Sequence, residues 1–219
     1  MTVRLAIFDC DGTLVDSQHS IVAAMQGAFD AVALTCPARA EILSIVGLSL
    51  PQAMARLLPE AEPDFHALMV EHYKSCFMAM RGAGAVSEPL YEGVAALLDA
   101  LEAGGWHLAV ATGKSDRGLT AVLAVHDLAG RFVSLQTADR NPSKPHPAMI
   151  EAALLEAGAR AEEAVMIGDT SFDMLMAGAA GVAALGVGWG YHAPGELLAA
   201  GARSVAMDSA ELARHIGLP

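Results

Sequence analysis

The stretch IFDCDGTLVDS, residues 7–17, places two carboxylates, Asp9 and Asp11, two residues apart directly after a short apolar run. Two negative charges so close repel one another and raise each other's pKa unless water or a cation separates them. Two further segments repeat the pattern of an apolar run followed by polar residues. Residues 106–111, WHLAVA, lead into Thr112, Gly113 and Lys114, and residues 164–167, AVMI, lead into Gly168, Asp169 and Thr170, with Asp173 one helical turn later. If the three apolar runs are neighbouring strands, Asp9, Asp11, Asp169 and Asp173 meet at one crevice. Four carboxylates in one crevice require a cation. Oxygen ligands suit a hard divalent ion such as Mg²⁺, which is commonly held by one or two carboxylates together with a substrate phosphate. No Cys/His set with zinc-like spacing competes for the role.

The same crevice gathers groups suited to a phosphate. Thr112 offers a hydroxyl, and Gly113 permits close approach of the backbone. A helix beginning near Ser115 turns its free N–H groups toward the site. Lys144, in SKPHP, adds a point charge. With these parts Asp9 is the candidate nucleophile toward phosphorus. Asp11 is the candidate acid for the leaving oxygen and the later base for water. Asp9, Asp11, Asp169 and Asp173 are the candidate metal ligands, and Thr112, Gly113 and Lys144 the candidate phosphate-binding set. Each has a plainer alternative: Thr112 as the cap of the following helix, Asp173 as a first-turn helix acid. Lys114 is ambiguous between substrate contact and structure. Cys10, between the two aspartates, reads as a small buried residue, and His146 as a packed histidine.

The elements that must position these groups follow from the periodicity. Strands are expected at 3–8, 106–111, 132–136, 164–167, 182–187 and, more weakly, 203–206. Helices are expected at 17–33, 115–125, 147–157 and 171–180 and at the C-terminus. Val94, Leu97, Leu98 and Leu101 trace one helical face that ends at Gly104–Gly105. Such alternation implies an α/β fold, a doubly wound, mostly parallel, Rossmann-like sheet with helices on both faces. Residues 17–82 carry no convincing strand and are broken by Pro37, Pro51, Pro59 and Pro63. They read as an inserted α-helical cap, with residues 1–16 and 83–219 forming the core. The Gly-rich segment 186–197 does not open a helix in the manner of a dinucleotide-binding loop.

Composition narrows the partners. With 13 basic and 25 acidic residues the formal net charge is −12, which disfavours nucleic acid and anionic membranes. A small-molecule phosphate ester must therefore find local positive charge, and the chain has only Lys74, Lys114 and Lys144 as lysines. The three scattered cysteines, Cys10, Cys36 and Cys76, give no disulfide framework. No apolar run has the length of a membrane span, and the N-terminus lacks signal-peptide character. A cytoplasmic protein is the default expectation.

DCDGTLVD, Thr112, Lys144 and GDTSFD, in that order, resemble the four motifs of the haloacid-dehalogenase-like hydrolase superfamily. SKPHPAMI and GDTSFDMLMAGAAG resemble its phosphoglycolate-phosphatase-like branch most. The resemblance covers nearly the whole chain and implies a Mg²⁺-dependent phosphatase with a cap that closes over the site and sets substrate choice. Relatives that remove halide lack an acid at the position of Asp11, so its presence favours phosphoryl transfer. A phosphonate-cleaving relative would need a cap lysine, and Lys74 lies in surroundings unlike that branch. A phosphomutase on the same scaffold is the alternative, although the loop 46–52 has no charge and Arg39 and Arg56 only flank it. A non-catalytic binding member is a further alternative, against which the intact charged set argues.

Overall fold

The computed structural model describes residues 3–218. The chain opens with β1 (Arg4–Phe8) and passes through four helices, α1 (Gln18–Asp30), α2 (Arg39–Leu43), α3 (Leu50–Leu57) and α4 (Pro63–Gly82). It continues through α5 (Val94–Ala103), β2 (Trp106–Thr112), α6 (Asp116–Val125), β3 (Phe132–Thr137) and α7 (Ala148–Ala157). A single 3-10 turn, Ala161–Glu163, leads into β4 (Ala164–Gly168), α8 (Ser171–Ala179), β5 (Ala183–Val187), α9 (Pro194–Ala199), β6 (Ser204–Ala206) and α10 (Ser209–Ile216).

The six strands form one sheet in the order β3-β2-β1-β4-β5-β6, every pair parallel. Parallel strands need a crossover between them, and the helices that supply it cover both faces. The pleat sorts the side chains of β1 accordingly. Ala6 and Phe8 join Leu98, Leu101, Leu123 and Leu212 on the face covered by α5, α6 and α10. Leu5 and Ile7 join Met149, Ile150, Met174 and Leu197 on the face covered by α7, α8 and α9.

Helices α1–α4 bury a separate cluster of their own, with Met25, Phe29, Met54 and Met69 at its centre. The prolines act as the sequence suggests. Pro51 and Pro63 occupy the first turns of α3 and α4, where a missing N–H costs nothing. Helix α1 stops at Asp30, short of the expected residue 33, because the chain turns out of helical geometry through Ala33, whose φ is 55°. One helix escaped the sequence reading. Within the Gly-rich segment, Pro194 starts α9 and Glu196 accepts the N–H of Ala193, a local start signal masked by the glycines before it. No helix among the described residues is long and apolar enough to cross a membrane.

The strand order reverses at β1, with β2 on one side and β4 on the other. At such a switch point the connections diverge and leave a crevice beyond the carboxyl ends of the strands. Register fixes what faces it. Phe8 stands beside Val110 and Ile167, so the chain leaves β1 at Asp9, β2 at Thr112 and β4 at Gly168 on one edge. Because Leu98 on α5 is wholly buried against this sheet, Leu98→Ala should lower the unfolding free energy by about 2–5 kcal/mol. Urea denaturation followed by circular dichroism would register this as a lower midpoint with an unchanged slope.

Candidate active site

Asp9 continues the line of β1 and donates its N–H to the Ile167 carbonyl of β4 at 2.9 Å. Its carboxylate is 1% exposed. Oδ1 accepts from the Cys10 N–H at 2.7 Å and from Lys144 Nζ at 2.9 Å. Oδ2 is buried and has no hydrogen-bond partner. A buried carboxylate oxygen left bare is costly. Its environment shows the cost: burial, opposed by Lys144 and reinforced by the Asp173 charge, pushes the Asp9 pKa up to about 7.

Asp169 and Asp173 come from the loop after β4 and the first turn of α8. Together with Asp9 they each offer an oxygen within 4.8 Å of the others. Asp169 is held by Thr13 Oγ1 at 2.8 Å and by the Tyr191 N–H at 2.9 Å. Burial foremost, and then the charges of Asp9 and Asp173, raise its pKa well above the carboxylate range. Asp173 caps its own helix through the Thr170 N–H and hydroxyl at 3.0 and 2.8 Å, and its other oxygen accepts from Lys144 Nζ at 2.6 Å. The plain helix-acid role and the charged-cluster role thus fall on different oxygens of one residue.

Lys144, wholly buried, bridges Asp9 and Asp173. Burial opposes its charge, but the two carboxylates outweigh burial and hold its pKa above that of an ordinary lysine. Its place is beneath the cluster, and it does not line the open cavity described below. One lysine against three carboxylates leaves the group short of positive charge. Three carboxylates that each offer an oxygen to one place fit a hard divalent cation.

The fourth expected ligand is placed differently. Both oxygens of Asp11 accept from Lys114 Nζ, at 2.7 and 3.0 Å, and Ser17 Oγ donates to Oδ1. Its carboxylate is not one of the cluster's three, because Lys114 and Ser17 hold it instead. Lys114 also reaches Glu88 at 2.9 Å, and Glu88 in turn binds Arg81 at 3.0 Å. Lys114, ambiguous in the sequence, is thereby tied between two carboxylates.

Thr112 is buried beside this pair, and its Oγ1 accepts the Lys114 N–H at 3.2 Å. Ser115, not Thr112, caps α6, accepting from the Gly118 N–H, which removes the plainer reading of Thr112. Gly113 lines the cavity, yet its lack of a side chain serves a different approach from the one expected. A Cβ there would lie 2.6 Å from the carbonyl oxygens of Gly47 and Leu48 in the helical block. Cys10 is buried, and burial foremost raises its thiol well above the normal range, which leaves it inert. His146 is exposed, with Nδ1 accepting the Ala148 N–H.

The loop 188–192 is the feature the sequence reading passed over. Besides the Tyr191 N–H on Asp169, Trp189 Nε1 donates to the Thr13 carbonyl at 3.2 Å, and the Tyr191 hydroxyl lies 3.3 Å from Ser17 Oγ. The glycines that argued only against a dinucleotide loop are the signal of close packing. A Cβ on Gly190 would fall 2.1 Å from Asp169 Cβ, and one on Gly12 would fall 2.1 Å from Asp169 Oδ2.

Above Asp9 opens a cavity of about 500 Å³ between the sheet edge and the helical block. Asp9, Asp11, Thr112, Gly113 and Lys114 form its floor. Of the three clustered carboxylates only Asp9 lines it, so Asp9 faces the cluster on one side and the cavity on the other.

The model of one family, described as haloacid dehalogenase-like hydrolase, matches residues 6–187. The chain belongs to that family. Among curated relatives, "Probable phosphatase IndB" of Dickeya dadantii (strain 3937) is 37% identical over 202 residues, covering 90% of this chain and 86% of that protein. "Pyrophosphatase PpaX" of Bacillus pumilus (strain SAFR-032) is 32% identical over 86% of this chain and 84% of its own length. "Phosphoglycolate phosphatase" of Vibrio cholerae is 30% identical over 87% of each. A crystal structure of "a predicted phosphatase from Clostridium acetobutylicum" superposes with a TM-score of 0.88 at 25% identity, covering 99% of both chains. The whole-chain fold and the phosphoglycolate-phosphatase-like branch of this hydrolase family agree with the sequence expectation.

Gly190→Ala tests the role of the 188–192 loop. The added methyl must displace Asp169, so divalent-ion affinity should fall about 10–100-fold, as for other residues that orient a ligand. Calorimetric Mg²⁺ titration of the folded variant reads the change directly. An affinity equal to that of the unsubstituted protein would separate the loop from the cluster.

Proposed function

We propose that this hydrolase is a Mg²⁺-dependent phosphatase that cleaves a small organic phosphate monoester through a phosphorylated Asp9. The observation that carries the reading is the bare carboxylate oxygen, Asp9 Oδ2. It belongs to a carboxylate that faces both the cavity and the acidic cluster. Asp9, Asp169 and Asp173 would hold the ion. When bound, the ion supplies positive charge to the cluster and to the phosphate oxygens.

The chain's own residues account for the remaining steps. Lys144, by engaging Oδ1, fixes the Asp9 carboxylate and leaves Oδ2 free to attack. A bond forms between Oδ2 and phosphorus as the ester P–O bond breaks, and the electron pair of that bond leaves on the alcohol oxygen. Asp11 gives a proton to that oxygen. In the second half, water attacks the phosphorus of the aspartyl-phosphate and gives its proton to Asp11. The P–O bond to Asp9 breaks, restoring the carboxylate and releasing inorganic phosphate. Ser17 and Lys114 set the orientation of Asp11, and Lys114 stabilises its charged form between the two halves. Thr112 and the Gly113 backbone border the floor where the phosphate oxygens would lie. Very large accelerations are required of phosphomonoesterases, and placement of charge before reaction supplies most of what such sites provide.

We assign residues 17–82 to a cap over a core of residues 1–16 and 83–219. The separate hydrophobic cluster of α1–α4 supports this division. Phosphoglycolate falls in the substrate class, as does any comparably small ester. The relatives named above are phosphatases and a pyrophosphatase, and a phosphomutase reading gains no support from the uncharged loop 46–52.

Two measurements test the reading with p-nitrophenyl phosphate and Mg²⁺. Asp9→Asn should abolish phosphate release, whereas Asp11→Asn should lower kcat about 10²–10⁴-fold. Excess EDTA should stop the reaction, and added Mg²⁺ should restore it. Unchanged turnover in Asp9→Asn would refute the nucleophile, and full activity in EDTA would refute the metal.

A further inference from the structure

We infer that the preferred substrate is a phosphate monoester of an apolar primary alcohol rather than one bearing a second anionic group such as glycolate. This rests on the phosphatase reading and concerns the same cavity. The floor of that cavity carries the polar groups already described. The walls facing it from the helical block are Ile21, Met25, Leu50, Tyr73, Phe77 and Met78. Met25 and Ile21 are almost wholly buried, and Tyr73 and Phe77 stack at 6.0 Å between ring centroids. These side chains come from α1, the start of α3 and the C-terminal half of α4, so the apolar surface wraps the space above Asp9 from three directions.

A substrate carboxylate needs a cation, and the cations bordering the cavity are engaged. Lys114 is held by Asp11 and Glu88, Arg81 by Glu88, and Lys74 by Glu71. Among the described residues, Arg117 is the one cavity-lining cation without an ion pair. Its guanidinium donates to the Met78 sulfur at 3.0 Å, and the residue is exposed on the first turn of α6. It therefore sits at the rim, against the apolar wall. A glycolate carboxylate at the floor would meet Lys114 already paired with two carboxylates, and the other cations open to it, Lys74 and Arg117, are exposed to water, where an ion pair gains little. An alkyl body would instead cover apolar surface and gain with each methylene. The cavity of about 500 Å³ leaves room for it.

The test uses monoesters of primary alcohols, so that leaving-group chemistry is similar throughout. Ethyl phosphate, n-hexyl phosphate and phosphoglycolate are compared by inorganic phosphate released in the presence of Mg²⁺. Each added methylene should raise kcat/KM about two- to fourfold. Hexyl phosphate should then exceed ethyl phosphate and phosphoglycolate at least tenfold, chiefly through KM. In Phe77→Ser the hexyl-to-ethyl ratio should fall several-fold. The ratio is taken within one preparation, so a partly unfolded variant still reports it. A flat response to chain length, or phosphoglycolate cleaved as well as the hexyl ester, would overturn the inference while leaving the phosphatase reading intact. If preference for phosphoglycolate were lost in Arg117→Met, the rim arginine would be identified as the carboxylate site and the inference overturned in the same way. Release of phosphate from none of the three esters, nor from p-nitrophenyl phosphate, would remove the phosphatase reading and this inference with it.

Discussion

The contact between Lys144 and the two carboxylates it bridges is the constraint on which the rest depends. Asp9, Asp169 and Asp173 are all but inaccessible to water, and three buried negative charges in one place oppose folding as well as one another. Lys144 removes one charge's worth of that opposition and draws Asp9 and Asp173 toward a common point. It also decides which oxygen of Asp9 is used up. With Oδ1 committed to Lys144 and the Cys10 N–H, Oδ2 is left without a partner. The lysine itself must be delivered from a loop that reaches under the sheet edge. The Ser49 N–H, donating to Ser143 Oγ at 2.7 Å, ties that loop to the helical block.

Packing around the cluster follows from the same constraint. Carboxylates held so close must be fixed on every side, or they would swing outward into water. Thr13 and Tyr191 fix Asp169, and Thr170 fixes Asp173. The backbone has to come nearer than a side chain would allow, and the glycines at 12 and 190 stand where it does. The φ of 87° at Gly12 turns the chain immediately after Asp11, and its missing side chain makes room for Asp169. The two aspartates of the first motif are set apart by their partners, Lys144 for Asp9 and Lys114 for Asp11.

Much of this was legible in the sequence because it rests on short-range rules. Apolar runs that end in Asp, Thr-Gly-Lys or Gly-Asp give both the strands and the edge at which their polar ends meet. The alternation of strand and helix gives the parallel sheet. What escaped depends on contacts between distant segments. Nothing local to DCDG says that Asp11 finds Lys114, a partner 103 residues away. Nothing local to Gly113 says that the carbonyls of Gly47 and Leu48 will be its neighbours. The role of 188–192 was hidden for a further reason. Its contribution to the cluster is a backbone N–H, which every residue but proline carries, so residue identity holds no record of it.

The two motif aspartates thus end in different electrostatic settings, each with its own lysine. Asp9 lies over a deep lysine that also serves the acidic cluster, and it retains a bare oxygen. Asp11 lies against Lys114, whose second partner, Glu88, sits where the chain returns from the helical block to the sheet. Glu88 also binds Arg81 on the last turn of α4. The pair Asp11–Lys114 is therefore anchored to the block through charged side chains, while the Lys144 loop meets the block through the neutral Ser49–Ser143 hydrogen bond. Movement of the block relative to the sheet would act on Asp11 through Glu88 and Lys114, and on the Lys144 loop through Ser143. Asp11 is thereby coupled to the element covering the cavity through a chain of ion pairs, whereas Asp9 directly continues the buried strand β1 and is bonded through its N–H to β4.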